Sequence, residues 1–373
     1  MQLIELHILQ SFPVTCLNRD DVGAPKSAVF GGCHRARVSS QSWKRAIRSL
    51  AKEYDQKHVF SGKRTRFVIK SLKEIILKKG KAEEEANDIA NVLADAIGKI
   101  DSVEKGNVKT LLYFSPLEIE AVVEDFLGKQ SIETFLNKYS DAKKDEDKKE
   151  MEKTFKEVVK VAEKSAKNLA KAVKDAADIA LFGRMVADDH SLMVEGAGLF
   201  SHALSTHSVS NDIDFFSAVD DELGKEDQGA GHIGTLEFNS ACYYRYIGLN
   251  LGLLRDEKHL AHFNQDELNE VIKTFIKASI LAVPQARKNS MFGHNPPEYV
   301  FGLRRTGQPL SLVNAFEKPV WSTNGYVAKS IEALENQWSK MNDLYRLESD
   351  VETEVKLPPD DLETVINTLL PED

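Results

Sequence analysis

Cysteine is scarce and unpatterned. Cys16, Cys33 and Cys242 are the only three in 373 residues, an odd number at wide spacings. That excludes a disulfide framework and the paired spacings of a zinc site, and all three are read as reduced thiols. No apolar run approaches the roughly 18 to 20 residues that a bilayer-spanning helix needs. The opening MQLIELHILQSFP lacks the basic start and small-residue cleavage site of a secretion signal, so the expected compartment is the cytoplasm. Catalytic signatures are equally thin: there is no GxxxxGK[ST] loop, no GxGxxG after a strand, no HExxH and no CxxC. The pairs Asp20-Asp21 and Asp220-Asp221 are read as turn closers or arginine partners rather than metal ligands. No enzyme activity, cofactor or metal is expected.

What is present is an ordinary globular composition, 42% hydrophobic and 29% charged, in a chain long enough for two folding units or one domain with an insertion. The net charge is −9, yet the sign is unevenly distributed. Between residues 19 and 52 stand Arg19, Lys26, Arg35, Arg37, Lys44, Arg45, Arg48 and Lys52 against Asp20 and Asp21 alone. A concentrated basic patch on an otherwise acidic protein suits a polyanion that docks at one place.

Residues 3–9 alternate Ile4, Leu6 and Ile8 with Glu5 and His7, which predicts a half-buried strand. A turn-rich loop through Gly31-Gly32 follows. Ser39 or Ser40 then caps a helix with Trp43, Ile47 and Leu50 on one face. Its first turn offers backbone N–H groups, serine hydroxyls and Gln41 beside Lys44, Arg45 and Arg48, a combination that binds phosphate. From about 71 to 180 the composition turns to Lys, Glu, Asp and Ala, and helices are predicted near 68–79, 83–98, 116–138 and 147–181. The last carries an apolar stripe (Met151, Phe155, Val158, Ala162) and, opposite it, a rail of lysines that includes Lys149, Lys153, Lys156 and Lys160.

Beyond Gly183 the pattern becomes strand-like, with Phe215-Phe216 before a glycine-rich tip and LEFNSACYYRYIGLNLGLL after it. A helix from about 264 to 282 precedes YVFGLRR and PLSLVNAF, read as two short strands. A final helix covers 327–345, and the acidic tail beyond Glu348 is expected to be loosely held. His202 and His207, among Ser201, Ser205 and Ser208, are the residues a metal-independent ribonuclease would use as general acid or base; a structural role is the competing reading.

The segment CLNRDDVGAPKSAVFGGCHRARVSSQSWKRAIR closely resembles the opening of the CasC family, the repeated backbone subunit of type I-E CRISPR Cascade complexes. Further islands of resemblance are DIALFGRM, HALSTHSVSNDIDFFSAVDD, HIGTLEF, YYRYIGLNL and PLSLVNAFEK. The resemblance implies an α+β fold: a ferredoxin-like, RRM-type palm with an inserted helical finger domain and a β-hairpin thumb. Its expected boundaries are palm 1–58, fingers 59–181, palm 182–208, thumb 209–242, and palm with C-terminal tail 243–373. It implies a non-catalytic protein that stacks head to tail along guide RNA (crRNA), beside the large, small, cap and crRNA-processing subunits, and displays the spacer to target DNA. Carried over by position, Arg19, Lys26, Ser39, Gln41, Lys44, Arg45 and Arg48 would hold RNA phosphates, and Met185, Phe216 and Val219 would wedge the bases. Lys149, Lys153, Lys156 and Lys160 would face target DNA. The tip from Gly224 to Gly231 is longer than the family pattern. The rival expectation is an endoribonuclease that processes CRISPR transcripts.

Overall fold

The computed structural model describes all residues except 103, 130, 145, 167–175, 186–192, 219–231 and 372–373. In chain order its strands and helices are β1 (Gln2–Thr15), β2 (Ser27–Phe30), β3 (Cys33–Val38), α1 (Ser40–Tyr54), β4 (Lys63–Thr65), α2 (Val68–Lys78), α3 (Glu83–Gly98), β5 (Ile100–Ser102), β6 (Asn107–Val108), β7 (Leu112–Phe114), α4 (Pro116–Leu127), α5 (Ser131–Lys144), α6 (Lys148–Ala166) and α7 (Ala177–Phe182). They continue with β8 (Gly198–Phe200), β9 (Ala203–Ser205), β10 (Asp212–Ala218), β11 (His232–Asn250), α8 (Leu251–Leu254), α9 (Gln265–Leu281), β12 (Tyr299–Thr306), α10 (Val327–Tyr345), β13 (Val351–Leu357) and α11 (Leu362–Leu369). The chain divides into two units, one formed by 1–54, 198–252 and 265–373 and the other by 55–197 and 253–264. No helix among the described residues is long and apolar enough to cross a membrane.

The first unit is built on an antiparallel sheet in the order β13-β12-β1-β11-β9-β3-β2. Counting β1, α1, β8 with β9, β11, α9 and β12 gives β-α-β-β-α-β with sheet order 4-1-3-2, the ferredoxin-like arrangement. Arg245 of β11 fixes the helices to their face of the sheet. Its guanidinium lies 4.1 Å from the Trp43 ring of α1 and donates to the Ser279 and Ile280 carbonyls near the end of α9. Trp43, Ile47 and Ala51 recur every four residues on the buried side of α1; Leu50 lies only partly buried beside them.

β1 is buried on both faces rather than half-buried, since Glu5 and His7 are completely enclosed. A second layer, α10 and a 3₁₀ turn at Val313–Phe316, covers the face they point to, with Leu334 and Trp338 of α10 over Leu9, Tyr244, Tyr246 and Phe301. Glu5 is satisfied there by the Arg305 guanidinium, the Tyr246 hydroxyl and the Leu310 N–H. His7 Nδ1 accepts from the Tyr244 hydroxyl at 2.9 Å, while that oxygen accepts from Leu312 N–H. These bonds also explain why PLSLVNAF is not a strand: its backbone N–H groups go to Glu5 and Tyr244 instead of a neighbouring ladder.

The turn expected at Gly31-Gly32 is present, inside a hairpin, and two other expectations change. The glycine pair is the two-residue turn of the β2–β3 hairpin, with φ of +60° and +78° at Gly31 and Gly32. A Cβ on Gly31 would stand 1.7 Å from the Glu317 carbonyl oxygen, so this turn packs directly on backbone. The C-terminal tail is ordered: β13 pairs with β12, and α11, capped by Asp361, buries Val365, Ile366 and Leu369. Arg35 is no surface cation but fully buried. Its guanidinium donates to the carbonyls of Phe30, Ser205, Phe316 and Glu317 at 2.8–3.3 Å.

In the second unit, α2, α3, α4, α5 and α6 share one apolar core. α4 opens with a complete capping box, Ser115 with Glu118, and Pro116 at its first position. The predicted helix 116–138 is two helices that part after Gly128. α6 starts where Asp147 accepts from the N–H groups of Lys149 and Glu150.

Burial, and then the Arg305 charge, lower the His7 pKa from 6.5 to about 3. The unfolded chain therefore takes up this proton first, and the stability contributed by neutral His7 is full near pH 7 and lost progressively below about 6.5. Urea unfolding should weaken by about 2 kcal/mol more between pH 7 and pH 5 in the parent than in His7→Gln; equal slopes would refute the assignment. Arg35→Ala, which strands several buried carbonyls, should cost at least ~3 kcal/mol in the same measurement.

Candidate nucleic-acid interface

Asn18 organises the basic segment. Its backbone carbonyl accepts from Lys26 N–H at 3.0 Å and its side-chain oxygen accepts from Ser39 N–H at 2.9 Å. Arg19 bridges to Pro25, and Arg37 N–H donates to the Lys26 carbonyl at 2.9 Å. The loop 18–26 is thus closed on itself and tied to both β3 and the start of α1. Ser39 is the cap: its hydroxyl accepts from Ser42 N–H at 3.3 Å, and the residue is buried. Ser40 N–H donates to His202 Nδ1 at 2.9 Å. Burial, followed by the charges of Arg37 and Lys26, lowers the His202 pKa, so its imidazole is a neutral acceptor lying in a positive field.

The other predicted phosphate contacts sit along α1. Gln41, Arg45 and Arg48 recur at helical spacing on one stripe, with Gln41 and Arg45 exposed and Arg48 half-buried. Lys44 is half-buried over the Phe200 ring at 5.0 Å, and burial lowers its pKa. Arg19 is exposed and Lys26 half-buried. Arg37 and His202 join this group although neither stood among the predicted contacts. Arg37 belongs to the basic cluster visible in the sequence, but strand alternation puts it on the same face of β3 as the buried Arg35 and so could not tell the two apart.

A second basic stretch went unread. The segment after α9 packs against the same loop: Arg287 Nη2 reaches the Gly23 carbonyl at 3.5 Å, and Cys16, Arg287, Lys288, Phe292 and His294 line one cavity. Phe292 is 74% exposed and stacks near His294 with 17° between the rings. Its signal was ARKNSMFGH between Pro284 and Pro296, cations followed by aromatic rings in a loop.

The hairpin of β10 and β11 pairs Phe216 directly opposite Gly234. The ring lies over that glycine, where a Cβ would meet Phe216 Cζ at 2.5 Å. Phe216 is braced in this way and 38% exposed; Phe215, on the opposite face of the hairpin, is 74% exposed. Val219 lies outside the described residues. Met185 is 80% exposed. Lys149, Lys153, Lys156 and Lys160 are all exposed on α6, with Lys153 and Lys156 in contact with Glu150 and Glu152 at 3.6 and 2.5 Å. The stripe opposite them packs inward through Phe155, Val158 and Ala162.

His207 is held on every side. Its Nε2 accepts from Cys242 N–H at 3.2 Å, its Nδ1 donates to the Ser208 carbonyl at 3.0 Å, and its ring stacks on Tyr326 at 3.7 Å. Among the described residues no group of three or more His, Cys, Asp or Glu side chains is arranged to hold a metal ion.

No curated protein sequence matches the chain. Among solved structures it is similar to a chain of a "CRISPR RNA-guided surveillance complex, pre-nicking", with a TM-score of 0.73 and 26% identity over 92% of this chain and 89% of that one. A chain of a "CRISPR RNA-guided surveillance complex" aligns with a TM-score of 0.57 and 21% identity over 97% and 92%, a likeness of fold alone. The CT1975-like protein family matches residues 4–371. The CasC-type resemblance carried by the sequence islands therefore holds over nearly the whole length, and the chain belongs to the CT1975-like protein family.

Proposed function

We propose that this chain is a non-catalytic guide-RNA-binding subunit of a type I-E CRISPR effector in the cytoplasm, stacking head to tail in several copies with the other Cascade subunits. The observation that carries the reading is the closed loop 18–26, which brings Arg19, Lys26 and Arg37 to the capped N-terminus of α1 beside neutral His202. Fixed cations and oriented N–H groups bind a phosphate backbone without reading a base. Arg19, Lys26, Ser39, Gln41, Lys44, Arg45 and Arg48 would hold the guide, with Arg37, Arg287 and Lys288 extending the positive track. Met185, Phe216 and Val219 would unstack bases by apolar contact, which accepts any spacer sequence. Target DNA would then be selected by Watson–Crick pairing, and the exposed lysines Lys149, Lys153, Lys156 and Lys160 suit its duplex phosphates.

The ribonuclease alternative needs a histidine poised to move a proton. His207 has both ring nitrogens engaged with backbone, and His202 spends Nδ1 on the helix start; neither arrangement favours general acid–base work. The double variant His202→Ala/His207→Ala, assembled with the rest of its operon, should contain guides of parental length. Accumulated precursor RNA would favour the enzyme.

The direct test is to co-express the chain with a CRISPR array and its operon, treat the purified particle with nuclease, and sequence what is protected. Uniform repeat–spacer–repeat RNA is expected; RNA-free monomer would overturn the proposal. Lys44→Ala with Arg48→Ala should lose guide RNA and lower the salt slope of binding by roughly one per phosphate contact removed.

A further inference from the structure

Met185 leads into a neck whose anchoring lies wholly inside the helical unit. Arg184 forms an antiparallel bridge with Val194, its N–H donating to the Val194 carbonyl at 2.8 Å and its carbonyl accepting from Val194 N–H at 2.9 Å. Gly183 precedes it at φ +80°, in contact so close that a Cβ there would meet Gly196 N at 2.9 Å. Only glycine fits both the backbone angle and the approach.

The Arg184 side chain turns inward. It is 4% exposed, and its Nη1 donates to Glu118 Oε1 and Oε2 at 2.8 and 3.0 Å and to the Tyr113 carbonyl at 3.3 Å. Glu118 is itself 3% exposed and already serves the start of α4, accepting from Ser115 N–H at 2.8 Å. One buried carboxylate thus joins a rigid helix terminus to the Arg184–Val194 bridge. Along extended backbone successive side chains point to opposite sides, so burying Arg184 and Val194 turns Met185 and Met193 the other way. They are 80% and 40% exposed.

We infer that the Arg184–Glu118 pair is a positioning device for Met185: it fixes the direction in which that side chain meets an unstacked nucleobase. The inference rests on the guide-RNA reading above, in which Met185 is one of the wedges. A buried pair that ends at a helix cap has one geometry and little rotational freedom. A wedge needs that property, because an apolar side chain that swivels cannot keep a base out of the stack.

The test uses the RNA-loaded assembly with 2-aminopurine placed in turn along the guide spacer, the fluorescence rising wherever a base is held unstacked. Met185→Ala should remove the signal at its site when the fluorescence is read per RNA bound. Glu118→Gln retains a residue compatible with the capping box but removes the charge, and should lower the same signal several-fold with RNA content unchanged. Arg184→Lys, which keeps the charge and loses the forked geometry, should do likewise and serves where Glu118→Gln folds poorly. Ile119→Val loosens the same helix core without touching the pair and should lower thermal stability while leaving the signal intact.

A parental signal in Glu118→Gln or Arg184→Lys, with the signal absent in Met185→Ala, would overturn the positioning role and leave the wedge standing. A parental signal in Met185→Ala would overturn the wedge reading itself. A reduced signal in Ile119→Val would mean that any loss of packing produces the effect, which also defeats the inference.

Discussion

Arg35 is the constraint on which the basic surface depends. Its guanidinium is completely buried, and its hydrogen-bond partners are four backbone carbonyls drawn from the β2 end of its own hairpin, from β9 and from the 3₁₀ turn. A buried cation is tolerable only where oriented acceptors replace its water, and these acceptors come from segments far apart in sequence. Satisfying Arg35 therefore requires the β2–β3 hairpin, β9 and residues 316–317 to meet. Once they do, Arg37 lies two residues further along β3, where its Nε donates to the Ser27 carbonyl, His202 stands at the head of α1, and Lys26 lies hydrogen-bonded to β3. The surface charges are placed by a charge that never reaches the surface.

The same logic explains which parts of the fold were legible. Capping residues and periodicity gave α1, starting residues and a stopping proline gave α9, and a run of helix formers with almost no glycine or proline gave α2 and α3, because those signals are local. Glu5 and His7 misled because their partners, Arg305, Tyr244, Tyr246 and Leu310, lie some 240 to 300 residues away. An alternating pattern reads as half-buried unless something covers the polar face, and that cover is α10 with its preceding turn. The tail was misjudged for the same reason. Its alternating Val351, Val355 and Leu357 look weak alone, but they complete an edge beside β12.

Of the site, the cations on α1 and in the loop were readable from charge concentration and turn chemistry. The structure adds which of them are fixed and by what. The Ser39 hydroxyl accepts from the first turn of α1, Lys44 lies over the Phe200 ring, and Arg35 is held in the interior. Arg287, by contrast, sits 264 residues from the Gly23 it touches, and nothing local ties ARKNS to residues 16–24. The aromatic face of the sheet is informative too. Tyr244, Tyr246 and Phe301 stand where an open ferredoxin-like sheet would offer stacking surfaces to single-stranded RNA, yet here they are buried under α10. On the proposed reading, nucleic-acid binding by this unit moves from the sheet face to the helix start and the hairpin.

β11 is a single strand of 19 residues, paired with β10 over its first part and with β1 over the rest. The strand that carries Gly234 is consequently an extension of the central sheet. The brace beneath the Phe216 ring therefore runs unbroken into the core of the first unit.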